Sequence, residues 1–391
     1  MAPIITTESQ LTALCERLRN CPAIAFDTEF VSEHTYRPQL CLVQVAAGGE
    51  LAVIDTMALG DLTPFWQLLA APGHETIVHA GREEIVFCLG AVDKPPANLF
   101  DVQLAAGFIG LEYPAGYGNL ISKLLGVTPR KGETRTDWRR RPLSDRQIDY
   151  ALEDVRHLAA LRETLHARLS ELGRLTWFQT ETAGFISDID ESRRRERWRK
   201  VSGSAGLSGR CQAIVRELWH WRDREAERRN SPVRRVLRDD LIVELAKRRS
   251  ADPKQVRAVR GMERSDLVRQ LPGLCEAIEK ALSVPEEACP GTVRRDASSQ
   301  LMMLGQFLSS ALSSICRAAE VAPSLVGSAN DVRDLVAYQL GEYDADREPP
   351  LLAQGWRAEV VGHLLDDLLA GKVSIRIRDP RAEQPLAFER A

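Results

Sequence analysis

The sequence predicts an α/β protein with two all-helical bundles behind it. Three observations carry this. A β-hairpin signal stands near the start, strand-like and helix-like segments alternate to about residue 170, and strands largely vanish after residue 190. Residues 23–30 (AIAFDTEF) are an apolar run ending in acids. QLCLVQVAA (39–47) and LAVIDT (51–56) are β-rich runs separated by Gly48-Gly49, a good hairpin turn. A helix is expected around 64–71, then a short buried strand at TIVHA (76–80). Another helix runs from about Arg82 to Leu89 and stops at Gly90; NLFDV (98–102) reads as a short strand. Ser144 and Gln147 have capping-box spacing and open a helix expected to reach about residue 170. An antiparallel hairpin followed by strands with intervening helices implies a mixed sheet, in a domain spanning 1–190.

Residues 191–207 are basic and rich in Gly and Ser, and are expected to be a flexible linker. Helical patterns interrupted at Ser231-Pro232, Asp252-Pro253 and Pro272-Gly273 predict one bundle over 208–287. After VPEEACPG (284–291) a second block is expected at 295–373, and 374–391 is a tail too short to be a domain.

Composition narrows the function. The 391 residues are 44% hydrophobic, enough for real cores. The start lacks a secretory pattern and no run approaches the ~18 apolar residues of a membrane span. The eight cysteines (15, 21, 41, 88, 211, 275, 289, 316) are scattered, as expected of reduced thiols in a cytoplasmic protein without a zinc site. Net charge is −3, yet residues 191–260 carry 21 Lys/Arg against 10 Asp/Glu, leaving 31 against 45 elsewhere. A basic segment beside an acidic one fits a nucleic-acid partner, because phosphate contacts need Lys and Arg; a solvated, salt-bridged helical face would give the same run.

The acids carry the chemistry. Asp27 and Glu29 stand two apart on a strand and Tyr150 and Asp154 four apart on a helix, so each pair shares a face. Glu84 follows HAGRE. Carboxylates are poor strand formers, and at the end of a buried strand they suit ligands better than decoration. Carboxylates gathered in one cleft repel unless cations sit between them. That arrangement can hold two divalent ions, roughly 3.5–4 Å apart, around a phosphodiester. A hard ion such as Mg²⁺ prefers such oxygens. The pattern points to a metal-dependent nuclease in which Asp154 is a ligand and Tyr150 orients, or helps deprotonate, the attacking water.

DTEFVSEHTYRPQLCLVQVA, HAGREE and KLLGVTPRKGETRTDWRRRPLSDRQIDYALEDV, in this order, resemble the ribonuclease D family over roughly residues 5–170. The resemblance implies a ribonuclease-H-like sheet, two divalent cations (Mg²⁺ or Mn²⁺), and 3′→5′ release of nucleoside monophosphates from RNA, tRNA precursors above all. It makes Asp27, Glu29 and Asp154 metal ligands and Tyr150 the water-orienting tyrosine. The family's second motif usually has Asp where Glu84 stands; Glu83 and Asp101 are alternative ligands. Lys131 and Arg135 could touch phosphates, and Phe30 and Val31 the terminal base or sugar. His79 reads as a hydrogen-bonded buried histidine. LWHWRDREAERRNSPVRRVLRDDLIVELAKRRSADPKQVRAVRGM resembles the nucleic-acid-binding HRDC module, a five-helix bundle, over about 208–284, and 295–371 weakly resembles a second one. In the first, Arg234, Arg235, Lys247, Arg248 and Arg249 are expected phosphate contacts, with Trp219 and Trp221 in the core. A monomer is expected. An RNA-binding protein with a decayed site, and a DNA exonuclease of the same superfamily, remain alternatives.

Overall fold

The computed structural model describes residues 3–129, 136–291, 298–344, 347–382 and 384–390. Its sheet domain contains β1 (Ile4–Ile5), α1 (Glu8–Leu18), β2 (Ala23–Val31), β3 (Gln39–Ala47), β4 (Glu50–Asp55), α2 (Thr63–Ala70), β5 (Glu75–Val78), α3 (Arg82–Val92) and β6 (Leu99–Asp101). Helices α4 (Val102–Gly107), α5 (Tyr117–Leu125), α6 (Asp145–Arg156), α7 (Leu158–Glu171) and α8 (Leu175–Arg194) complete it. The strand order is β1-β4-β3-β2-β5-β6. β2, β3 and β4 pair antiparallel through the expected hairpin, where Gly48 and Gly49 both take positive φ. β1, β5 and β6 pair parallel with their neighbours, which makes the sheet mixed.

Alternation along β2 decides which side each residue serves. Ile24 and Phe26 pack with Val43, Val45 and Ile54 against Leu11, Phe65, Trp66 and Ile85 of the first three helices. Ala25 faces the other way, into a core with Leu158, Leu161 and Leu165 of α7. Asp27 and Glu29 continue that second side. Their ladder partners on β3 are Gln44 and Leu42, and the register slips between Glu29 and Phe30.

Three expectations need correction. The helix from Ser144 has its capping box but does not run unbroken to residue 170, because it divides at His157. The helix from Arg82 continues through Gly90 to Val92 and ends on Asp93 in the left-handed region. The linker is ordered: α8 extends to Arg194, and Trp198, Val201 and Ser204 are buried, the first two in the core of the following bundle. Two apolar side chains anchor what composition marked as flexible. The tail is a ribbon, β7 (Val373–Ile377) paired antiparallel with β8 (Leu386–Arg390), whose Ile375 and Phe388 pack onto the main core.

The first helical module comprises α9 (Gly209–Arg228), α10 (Val233–Val236), α11 (Asp239–Arg248), α12 (Pro253–Arg257), α13 (Ser265–Val268) and α14 (Leu271–Leu282), around its own core. Trp221 is buried there and Trp219 packs against it half-buried. The second block holds α15 (Ser299–Ala318), α16 (Pro323–Val326) and α17 (Ala329–Gln339). It closes with α18 (Gly355–Arg357), which passes through a π-helical turn into α19 (His363–Leu369). This block is not a separate bundle. Its Leu308, Leu312, Val336 and Trp356 belong to one core with Phe100, Phe108 and Phe178 of the sheet domain. Arg174 adds to the join by donating to the carbonyls of Phe108, Ala319 and Glu320.

Candidate active site

Three segments meet at the carboxyl end of β2. The strand itself supplies Asp27 and Glu29 on the side covered by α6. From α6 come Tyr150 and Asp154, on a helix fixed by reciprocal bonds between Ser144 and Gln147 and by buried Ala151, Leu152 and Val155. Glu84 stands in the first turn of α3, just past the β5–α3 turn. That turn is tight: a Cβ on Gly81 would lie 2.3 Å from Val78 Cγ2, so only glycine fits. Both carboxylate oxygens of Asp101 hold it, accepting from the amides of Ala80 (3.0 Å) and Gly81 (2.9 Å). Asp101 also accepts from Gln103 and Leu104 as the cap of α4. Held by four backbone amides, Asp101 positions the turn.

Glu84 is buried, 4% exposed, and accepts a 2.5 Å hydrogen bond from Thr28 Oγ1. Thr28 points to the α3 side of β2, so Glu84 reaches the strand end from the opposite flank to Asp154. The neighbouring Glu83 is only half-buried.

Glu84 and Asp154 act on both strand acids, Asp27 and Glu29. Burial, then Glu84, Asp154 and Glu29, hold Asp27 well above the usual carboxylate range. Glu29 is pushed up to about 8 by burial and by Asp154 and Glu84. Burial takes Glu84 to about 7 against the opposing Thr28 bond, and takes Asp154 to about 6 with help from Glu153. No lysine or arginine among the described residues is among the groups that act on them. As they stand, no three acidic, imidazole or thiol side chains among the described residues close round one point. They are neighbours around a strand end rather than a finished cage.

Tyr150 is pushed up to about 12 by burial and by Asp154, Glu29 and Asp27, so its phenol stays protonated at neutral pH. Trp138 stacks on it, with centroids 6.2 Å apart and planes at 24°. Arg141 fixes the Trp138 segment, meeting both Asp55 oxygens at 2.5 Å and the carbonyls of Trp138 and Cys41 at 2.7 and 3.0 Å. Between this segment and the β2–β3 loop lies an open cleft of about 610 Å³, lined by Glu29, Phe30, Val31, His34, Arg139 and Tyr150 among others. Phe30 also meets Phe87 edge-on at 5.7 Å, so it serves both cleft and core. Bidentate contacts from Asp137, at 2.8 and 3.1 Å, hold Arg139.

Tyr117 explains the break at His157. Its hydroxyl donates to the Glu153 carbonyl (2.9 Å) and accepts from the His157 amide (3.1 Å). Those two groups would otherwise bond each other as i and i+4 in a continuous helix. His79 Nε2 donates to the Ala115 carbonyl (2.8 Å) and the ring packs edge-on to Tyr117, hydrogen-bonded as expected but half-buried rather than buried.

The first helical module grips the cleft's outer wall. Asn230 Oδ1 accepts from the Tyr36 amide (3.2 Å), Arg37 bonds Glu227 (2.9 Å), and Arg235 Nη2 lies 3.1 Å from His34 Nδ1. Of the expected phosphate contacts, Arg235 therefore stands at the cleft rim with Arg234 exposed beside it. Lys247 is paired with Glu244, Arg248 donates to the Gln255 carbonyl, and Arg249 ends α11 in a left-handed turn. Lys131 and Arg135 lie outside the described residues. Sequence reasoning missed Thr28, Tyr117, Trp138 and Arg141. Thr28, Trp138 and Arg141 lie inside motifs already quoted, whereas Tyr117 lies outside them.

The comparisons agree with this geometry. Residues 3–170 match a 3′-5′ exonuclease family, and residues 212–278 match the HRDC domain. The chain is 36% identical over 378 residues to the ribonuclease D of Gluconacetobacter diazotrophicus, covering 94% of this chain and 92% of that one. It is 37% identical over 386 residues to the ribonuclease D of Acidiphilium cryptum, covering 97% and 96%. Among solved structures it is similar to Escherichia coli RNase D, "an exoribonuclease involved in structured RNA processing". The TM-score is 0.81 at 29% identity, over 95% of this chain and 99% of that one. With likeness of this extent over the sheet domain and both helical regions, the chain belongs to the ribonuclease D family.

Proposed function

We propose that this exoribonuclease shortens RNA, tRNA precursors among its substrates, one nucleotide at a time from the 3′ end. Asp27, Glu29, Glu84 and Asp154 would hold two divalent cations, Mg²⁺ or Mn²⁺. Bound cations of this kind lower the pKa of water and offset phosphodiester charge. The donors fit hard ions: they are all carboxylates, Glu84 and Asp154 both raise Asp27 and Glu29, and no lysine or arginine among the described residues offsets them. The carrying observation is that Asp27 and Glu29 of β2 stand close enough to Glu84 of α3 and Asp154 of α6 to be raised by both.

The protein's own residues then position the reactants. The cleft beside Glu29 takes the terminal nucleotide, with Phe30 and Val31 against its base or sugar. Tyr150, kept protonated, orients the attacking water through its hydroxyl rather than serving as a base. Water oxygen bonds to the last phosphorus, the bond to the preceding 3′ oxygen breaks, and a nucleoside 5′-monophosphate leaves. Phosphoryl chemistry asks for this kind of placement more than for covalent help. Arg234 and Arg235 would meet upstream phosphates at the rim.

The test uses 3′-labelled RNA and DNA with Mg²⁺, with Mn²⁺ and with chelator, for the wild type and Asp27→Ala. RNA shortening that needs the cation and Asp27 is the expected result. Shortening by both proteins alike, or by neither, would overturn the site.

A further inference from the structure

Gln44 is fully buried, 0% exposed, and neither its amide nitrogen nor its amide oxygen has a hydrogen-bond partner among the described residues. A primary amide brings two donors and two acceptors, and leaving them all empty inside a protein is costly. Nothing about the strand requires it. The flanking buried positions of β3 are Cys41, Leu42, Val43 and Val45, and any of these types would fill the space without that cost. An orphaned buried polar group calls for a partner that the resting structure does not show.

Its position says which. Gln44 is the ladder partner of Asp27 in the antiparallel β2–β3 pair, so both side chains leave the sheet on the side covered by α6. Directly opposed residues have Cβ atoms about 4.5–5.5 Å apart, within reach of a long amide and a carboxylate. Along β2 the next residue on that side is Glu29, opposite apolar Leu42. Among these cross-strand neighbours, only the amide can donate to Asp27.

We propose that Gln44 is a positioning residue for Asp27: its amide N–H takes one carboxylate oxygen and turns the other toward the cations. The inference rests on the site assigned above. It makes the apparent misfit in β3 a holder of the first acid, acting from the neighbouring strand without touching RNA. Outer partners of this kind typically change metal affinity or activity about 10–100-fold when removed.

Gln44→Met keeps length and volume and removes the polar atoms. Three readouts separate the roles: melting temperature of the metal-free protein, Mn²⁺ affinity by calorimetry, and the split between kcat and KM on RNA. The expected result is a melting temperature unchanged or raised by a few degrees, because an unpaired amide has gone. Mn²⁺ binding should weaken at least ~10-fold, with kcat lowered similarly and KM within about twofold. Mn²⁺ affinity and kcat within twofold of wild type would make Gln44 idle and overturn the proposal. A melting temperature several degrees lower with unchanged Mn²⁺ affinity would also overturn it, by revealing a structural partner. Asp27→Asn, measured alongside, keeps the two readings apart. If it retains Mn²⁺ binding and activity, the assigned site is wrong; if it loses both while Gln44→Met does not, only this proposal falls.

Discussion

Replacing Tyr117 by Phe tests how Asp154 is aimed. The change keeps the ring, its place in the core and its edge contact with His79, and removes only the hydroxyl that sits between Glu153 and His157. Two hydrogen bonds go, each worth about 0.5–1.5 kcal/mol net, which sets a loss of roughly 1–3 kcal/mol if nothing rearranges. The freed carbonyl and amide are the i and i+4 groups of a continuous helix, so they can recover one bond by joining α6 to α7. That bond would shift the last turn of α6, which carries Asp154, and a displacement near 1 Å can cost ~10²-fold in rate. The expected variant is folded, destabilised by no more than about 3 kcal/mol, and slower by one to two orders of magnitude. Urea unfolding gives the first quantity, single-turnover degradation of labelled RNA the second, and calorimetric Mn²⁺ titration shows whether the metal site has moved. A variant that loses the stability but keeps the wild-type rate and Mn²⁺ affinity would refute the link between the break and the site.

Three further predictions follow from the charges and contacts. In the metal-free protein, Glu29, Glu84 and Asp154 are raised to about 8, 7 and 6, so the folded state holds more protons than the unfolded chain. Their contribution is present below the ordinary carboxylate range and is lost as pH rises toward 8. Melting temperature should therefore fall between pH 5 and 8.5, less steeply in Glu29→Gln, and added Mg²⁺ should stabilise more at pH 8 than at 5.5. Thr28→Val removes the bond that opposes the rise of Glu84; the acid limb of the pH–rate profile should move to higher pH, and an unmoved limb would count against Glu84 as an essential carboxylate. Reversing Arg234 and Arg235 to Glu should weaken RNA binding and flatten the dependence of log affinity on log salt, by about one unit of slope per lost phosphate contact.

What the sequence revealed tracks the range of the interactions involved. The β2–β4 meander was legible because alternation and two adjacent glycines encode it locally. Asp27, Glu29, Tyr150 and Asp154 were legible because strand and helix periods pair them. The α6–α7 break was not, because its cause lies 36 and 40 residues upstream in Tyr117. The turn-holding role of Asp101 was hidden for the same reason: its commitment to the amides of Ala80 and Gly81 is a tertiary fact. Trp198 and Val201 were hidden within a stretch whose charge and glycines suggested mobility, though two buried side chains suffice to seat it.

The shared core between the sheet and the C-terminal helices decides where this chain can be cut. A truncation near residue 290 would strip Phe108 and Phe178 of Trp356 and its neighbours, exposing an oily flank that invites aggregation. The first helical module closes on itself and joins the nuclease largely through polar handholds, so shuffling could exchange it as a cassette. The last hundred residues have no such freedom, because their core is also that of the sheet domain.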